Sequence, residues 1–387
     1  MSAVMKFKPR RRPPTPARHP FTLPEGLHRQ AERAKEGLSE SFKGVTSDGQ
    51  IVPGLYSIQR TGVSTQPILE AAEAFLACLT PEQRRQACFD LEAKEWRQWS
   101  NVHPFLMRHG QLIEELDERQ RELALGLPGA TLSAGGYQLA RDVMRLNEYI
   151  GYVCGGKWDE YGEWLYWLSI FGEPTATEPW GWQIDGHHLI VNCFVLGDQI
   201  VISPTFFGSE PVAADEGKWA GIRVFAEEEA RGLALMRSLD SSQQAQASLG
   251  AELPGEVTAA FRDNAVVPYS GLRCADMTAD QRQRLSDLIH VYVDRDRPGH
   301  AALRFREIEQ HLDETYFAWA GACDEDAVFY YRIHSPVVLI EFDHQRGIAL
   351  DNDEPSRHHI HTVVRTPNGN DYGKDLLRLH YQTHHRR

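Results

Sequence analysis

No two of the six cysteines form a Cys-x-x-Cys pair; Cys78, Cys88, Cys154, Cys193, Cys274 and Cys323 lie scattered along the chain. Such spacing suits neither a thiolate zinc knuckle nor a small disulfide scaffold, and reads as reduced thiols. No apolar run approaches the roughly 18 residues that a membrane-spanning helix requires. The opening stretch, MSAVMKFKPRRRPPTPARHP, has no apolar segment of the secretory kind. Also missing are a Gly-x-Ser-x-Gly elbow, a His-Glu-x-x-His helix and a Gly-x-Gly-x-x-Gly turn, which removes the usual marks of serine hydrolases, zincins and dinucleotide-binding folds. Gly369-x-x-x-Gly373-Lys374 is one residue too short for a phosphate loop and lacks the Ser or Thr that should follow. The acidic run LDNDEP at 350–355 lacks calcium-loop spacing. These absences lead to the expectation of a soluble cytoplasmic protein with no membrane partner.

The 387 residues include 41 Lys and Arg against 54 Asp and Glu, a net charge of −13. The first 20 residues hold six basic residues and no acidic one, which leaves 35 basic against 54 acidic in the rest, or −19. A body this acidic argues against nucleic acid as partner and favours a small-molecule substrate. The expected organisation is a basic, Pro-rich flexible arm over 1–30, then one large domain over 31–381. The arm would lie on an acidic surface of its own domain or of a neighbouring subunit in a homo-oligomer.

Four related phrases begin at Leu79, Leu116, Leu239 and Met277, each placing Thr or Asp three residues ahead of Gln. This is the capping-box pattern, and it marks helix starts near 80, 117, 240 and 278. Their spacings of 37, 123 and 38 do not form a solenoid period. Helices are expected over 66–150 and 217–320. Val-, Ile- and Phe-rich runs predict strands over 164–208, with a Gly197-Asp198 hairpin turn, and over 327–365, with a break at Ser335-Pro336. A final helix is expected over 373–381. The fold class is α+β, with one antiparallel sheet built from the middle and the end of the chain and flanked by two helical regions.

Eight of the 17 histidines fall in the last 54 residues. In a strand, His359, His361 and Arg365 share one face, and two imidazoles at i and i+2 can converge on a cation. The preceding strand places Glu341 and Asp343 on one side, and a carboxylate after PVVLI is costly to bury without a cation or a strong donor. The expected metal ligands are therefore His359, His361 and Glu341, with His188 as a further ligand or support; the cofactor would be divalent zinc, iron or manganese. In an extended reading His188 lines up with Trp182 and Asn192, and Trp180, Trp182, Asn192 and Tyr381 are the candidate substrate wall. Arg365 would orient an anionic group, and Asp343 or His380 would move protons.

These motifs resemble the bacterial and fungal family catalogued as domain of unknown function 3500. The resemblance is carried by FGEPTATEPWGWQIDGHHLIVNCFV, by SPTFFGSEP, by FAWAG followed by YYRIHSPVVLIEFDHQ, and by HIHTVVRTPNGNDYGKDLLRLHY. It covers roughly 66–381. Gly186 to Leu189, Ile340 to Asp343, His359 to His361 and Leu377 to Tyr381 match the family pattern. His344 departs from it, standing where many relatives carry Asn, and RGIALDNDEPSR lengthens the loop before the His-x-His strand. The resemblance implies that the histidine and carboxylate motifs belong to one unit, and supplies no reaction.

The sequence thus leads to a metal-dependent enzyme acting on a small organic molecule, hydrolase or lyase ahead of iron-dependent oxygenase. A metal-free acid–base enzyme using Glu341 and a histidine is a second alternative. A non-catalytic protein whose histidines knit the sheet together is a third.

Overall fold

The computed structural model describes residues 7–10, 25–101, 106, 108–156 and 160–384. Eight long strands form the body of one sheet: β1 (Tyr166–Phe171), β2 (Trp180–Gly186), β3 (Leu189–Leu196), β4 (Gln199–Ser209), β5 (Tyr316–Gly321), β6 (Phe329–His334), β7 (Leu339–Arg346) and β8 (Pro355–Arg365). Their spatial order is β1-β2-β3-β4-β8-β7-β6-β5. Two four-stranded meanders, one from each half of the chain, therefore meet at β4 and β8, where Thr362 pairs with Phe207 and His361 with Gly208.

The helices repeat in the same way. Helices α1 (Gln66–Cys78), α2 (Pro81–Ala87), α3 (Glu118–Thr131) and α4 (Ala134–Val153) precede the first meander. Helices α5 (Ala226–Ser238), α6 (Ser241–Ala247), α7 (Ala279–Val293) and α8 (Pro298–Glu309) precede the second, and α9 (Lys374–His384) closes the chain. All four expected capping boxes form, at Thr80, Asp117, Asp240 and Thr278. Within each half the two box glutamines also bond to each other: Gln120 Nε2 donates to Gln83 Oε1 at 2.9 Å, and Gln281 Nε2 donates to Gln243 Oε1 at 2.8 Å. The irregular spacing of the four phrases is thus a pair repeated once, a duplicated helix–helix–meander unit.

One face of the sheet packs on these helices through Trp180, Trp182, Val191, Phe207, Tyr331 and Phe342. The opposite face is covered by chain without long strands, which contributes Trp96, Trp99, Val257, Ala259 and Tyr372 over Ile190, Phe206 and Val363. A sheet covered on both sides needs apolar residues at successive positions, which is why β2 and β3 are buried throughout.

Three expectations need correction. The sheet is mixed, because Cys88–Phe89 runs parallel to β1 and Ser248–Gly250 parallel to β5 at its two edges. Both short strands follow a helix, and such long connections allow a parallel return that two-residue turns forbid. The region read as helical over 217–320 contains strand β5 at its end, where Tyr316–Gly321 joins the sheet edge. Finally, the extended run read through His187-His188 is two strands, β2 and β3, with the histidines as their turn. Of the N-terminal arm only 7–10 and 25–30 are among the described residues, and no described helix is long and apolar enough to cross a membrane.

The paired boxes predict that Gln120→Ala and Gln281→Ala each lower stability by about 1–2 kcal/mol, since each removes a cap and a buried tie. Gln283→Ala, whose partner Asp287 lies on an exposed helix face, should change little. Urea denaturation of the three variants checks this.

Candidate metal centre

The β2–β3 turn has only two residues, His187 and His188, and His188 takes a left-handed backbone conformation with φ +64°. Its carbonyl accepts a hydrogen bond from Gly208 N at 2.8 Å, which carries the β3–β4 ladder one step past the strand and ties the turn to β4. The His187 ring stacks under that of His188, with centroids 3.9 Å apart, and its Nδ1 donates to Asn147 Oδ1 at 2.8 Å. The His188 ring is thereby held over β4 and reaches the neighbouring strand β8.

There it meets His359 and His361. The Nε2 atoms of His188, His359 and His361 form a triangle with sides of 3.2, 3.2 and 3.0 Å. For metal–nitrogen bonds of about 2.1 Å, donor nitrogens lie about 3.0 Å apart at right angles and about 3.4 Å apart at the tetrahedral angle. The observed sides fall between these limits. His188 and His359 are buried, whereas His361 keeps partial exposure, so the centre opens on the His361 side.

The hydrogen bond of His359 suits ligation through its other ring nitrogen. His359 Nδ1 sits 2.7 Å from the Arg346 carbonyl oxygen, which can only accept, so Nδ1 carries a hydrogen and Nε2 is the nitrogen turned to the centre, free to ligate in the neutral ring. Burial, followed by the neighbouring imidazoles, holds His188 and His361 well below the ordinary imidazole pKa. Three rings aimed at one point cannot satisfy one another through hydrogen bonds alone, and a cation there would take a lone pair from each. Among the described residues these three form the one cluster of His, Cys, Asp or Glu with atoms close enough to share an ion.

The other residues singled out in the sequence are distributed differently. Glu341 does not join the cluster: it pairs with Val363, and its oxygens accept from Tyr330 Oη at 2.6 Å and from Thr258 N at 2.7 Å. It stands two residues, or about 7 Å, along the strand from the position opposite His361. That position belongs to Asp343. The Asp343 side chain is fully buried, Gln345 Nε2 donates to its Oδ2, and its Oδ1 has no partner among the described residues. Burial first, and then the Glu341 charge, push its pKa up to about 8.

Arg365 lies on the same face of β8 but is fully engaged. Its guanidinium donates to Asp371 Oδ2 at 2.9 Å, Asp263 Oδ1 at 3.1 Å and the Thr258 and Ala259 carbonyls, both at 2.6 Å. It is a buried structural hub and offers no group to a substrate. Trp180 and Trp182 are core residues on the helix-covered face. Asn192 pairs with Gln183, so it faces the side opposite Trp182; its amide donates to the Pro204 carbonyl at 2.8 Å. His380 lies 3.5 Å from Glu178, just before β2, while the His188 turn is at the other end of that strand, about 20 Å away. Tyr381 follows it on the surface.

Two contributors went unread in the sequence. Gly208 lies under His188 and His361, where a Cβ would come within 2.8 Å of the Ile360 carbonyl oxygen, 2.9 Å of His361 Cδ2 and 3.0 Å of His188 Cδ2. Glu210 is buried two residues on, and its carboxylate accepts four contacts of 2.9–3.1 Å from the backbone N–H groups of Ile348, Ala349 and Leu350. The signal for both was present in SPTFFGSEP: a glycine and an acid at the end of an apolar strand.

Gly208→Ala should therefore strain the β4–β8 seam and, in the protein that still folds, weaken divalent-cation binding tenfold or more, by roughly the margin of losing a positioning contact; a thermal melt and zinc titration against a chromophoric chelator check this. Asp343 gives a pH test in chelator-treated protein. Its folded pKa lies above its unfolded value, so the folded state binds the extra proton and this group's contribution to stability falls as pH rises from about 4 to about 8, then levels off. Asp343→Asn should flatten that decline in a series of thermal melts.

Comparison with known proteins agrees with the motif reading. A family model described as "Protein of unknown function (DUF3500)" matches residues 61–374, a span that includes His188, His359, His361, Gly208 and Glu210. No curated protein and no solved structure matches the chain. The match covers most of the chain and every residue of the centre, and the protein belongs to the DUF3500 family.

Proposed function

We propose that the protein is a metal-dependent enzyme in which Nε2 of His188, His359 and His361 hold one divalent cation that acts on a small organic substrate. The observation that carries this reading is the convergence of three buried or half-buried nitrogens at 3.0–3.2 Å, with one of them fixed in the ligating tautomer by a carbonyl. Closed structural zinc sites use four protein ligands, while catalytic ones use three and leave a position for water or substrate. A bound cation of this type supplies Lewis acidity and lowers the pKa of a coordinated water.

The all-imidazole set favours hydrolase or lyase chemistry. The iron arrangement of many oxygenases uses two histidines and one carboxylate, and here Glu341 is engaged by Tyr330 and Thr258. Asp343, opposite His361 and with one oxygen that has no partner among the described residues, is the side chain best placed to hold or pass a proton beside the open position. Phe206, edge-on to His361 at 5.0 Å, gives that side an apolar wall. Six free cysteines suit a reducing compartment, and we place the reaction in the cytoplasm.

The test is the metal content of untagged protein by plasma mass spectrometry, beside a folded His359→Ala/His361→Ala variant. The expected result is close to one equivalent of zinc, iron or manganese in the parent and none in the variant. A parent that stays empty after reconstitution would end the metalloenzyme reading. Manganese or iron in place of zinc would return oxygen chemistry to the front.

A further inference from the structure

The loop between β7 and β8 is held from two sides. On the inside, Glu210 draws the N–H groups of 348–350 around its carboxylate, which itself lies 3.8 Å from His359 Nδ1. The same loop begins at Arg346, whose carbonyl fixes the His359 tautomer. On the outside, residues 7–10 of the basic arm lie along the loop. Lys8 N donates to Asp351 Oδ1 at 2.8 Å, and Asp351 N donates back to the Lys8 carbonyl at 2.9 Å. Arg10 N donates to the Ala349 carbonyl at 2.7 Å, while its guanidinium reaches Asp353 Oδ1 at 2.9 Å and the Asn352 and Gly347 carbonyls at 3.0 and 3.3 Å. Phe7 packs edge-on to His358 at 5.6 Å and joins Ile150, Tyr161, Ala349 and Leu350 in a small apolar cluster beside the centre.

We propose that Glu210 is a positioning residue of the histidine centre and that residues 7–10 form the outer half of the same clamp, so that arm docking and cation binding are coupled. The inference rests on the three histidines binding a cation. Without the Glu210 carboxylate, three loop N–H groups lose their acceptor, the loop relaxes, and the Arg346 carbonyl leaves His359. The ring is then free to carry its hydrogen on Nε2, the form that cannot ligate. Releasing the arm removes the outer support and biases the loop the same way, more weakly. Coupling of this kind is reciprocal: if the docked arm strengthens cation binding, a bound cation must favour the docked arm by the same factor.

The test uses the full-length protein, with Glu210→Ala, Glu210→Gln and Arg10→Ala. Zinc affinity is read by chelator competition, the His359 tautomer by nitrogen-15 NMR, and arm docking by the rate of tryptic cleavage after Arg10 in the parent with and without zinc. Expected are a loss of about 10- to 100-fold in zinc affinity for the Glu210 variants, a loss of about fivefold for Arg10→Ala, and slower arm cleavage in zinc-loaded parent. Folded variants that bind zinc like the parent would overturn the proposal while leaving the metal reading intact. A parent that binds no zinc would sink the metal reading instead. The NMR arm then decides on Glu210: an Nδ1–H signal for His359 that is lost in the variant upholds its positioning role, and an unchanged signal ends it. If Glu210→Ala does not fold, Glu210→Gln and Arg10→Ala carry the test.

Discussion

The pairing of β4 with β8 is the constraint on which everything else rests. Each half of the chain makes its own four-stranded meander, and only this antiparallel seam turns the two into one sheet. The seam also assembles the centre, because His188 hangs over it from the first half while His359 and His361 come from the second. A one-residue slip would send every β8 side chain to the opposite face and break up the trio. Burial on both faces makes such a slip costly, since Thr362, Val363 and Arg365 would all exchange environments. The register needed by the core is thus the register needed by the centre.

Around the seam the protein accounts for its buried charges one at a time. Arg365 is matched by Asp263 and Asp371, Asp185 by Arg108, and Glu210 by a ring of backbone N–H groups. The three histidines differ in kind: their Nε2 atoms converge on one another at 3.0–3.2 Å. That contrast sets the trio apart from a network such as that of Arg365, which closes on itself through carboxylates and carbonyls.

Much of this was legible in the sequence, and the failures have physical causes. Capping boxes are local chemistry, so all four could be read from four-residue phrases; that they are one pair repeated once depends on contacts between helices more than thirty residues apart. Alternation along β8 placed His359 and His361 on one face. The same rule misled at His187-His188, where two consecutive residues form a turn and a left-handed backbone, absent from any strand pattern, aims the second ring. Glu341 was chosen over Asp343 because alternation fixes the face and says nothing about register; the pairing of β7 with β8 decides which acid stands opposite His361. Trp180, Trp182 and Asn192 looked like a pocket wall because aromatic and amide side chains serve cores and pockets equally well. Glu210 lay beyond reach because its partners are backbone groups some 140 residues away.

The backbone of His188 has a consequence for how the protein could be altered. Its left-handed conformation is one that glycine adopts freely and a residue with a side chain adopts at a cost of roughly 1 kcal/mol. Judged by folding alone, the turn would be better served by Gly-Gly or Asn-Gly than by two stacked imidazoles. Any selection for thermal resilience alone would be drawn to this position and would remove one of the three converging imidazoles. A histidine at the tip of the hairpin thus gives up turn stability for the ring it holds over β4.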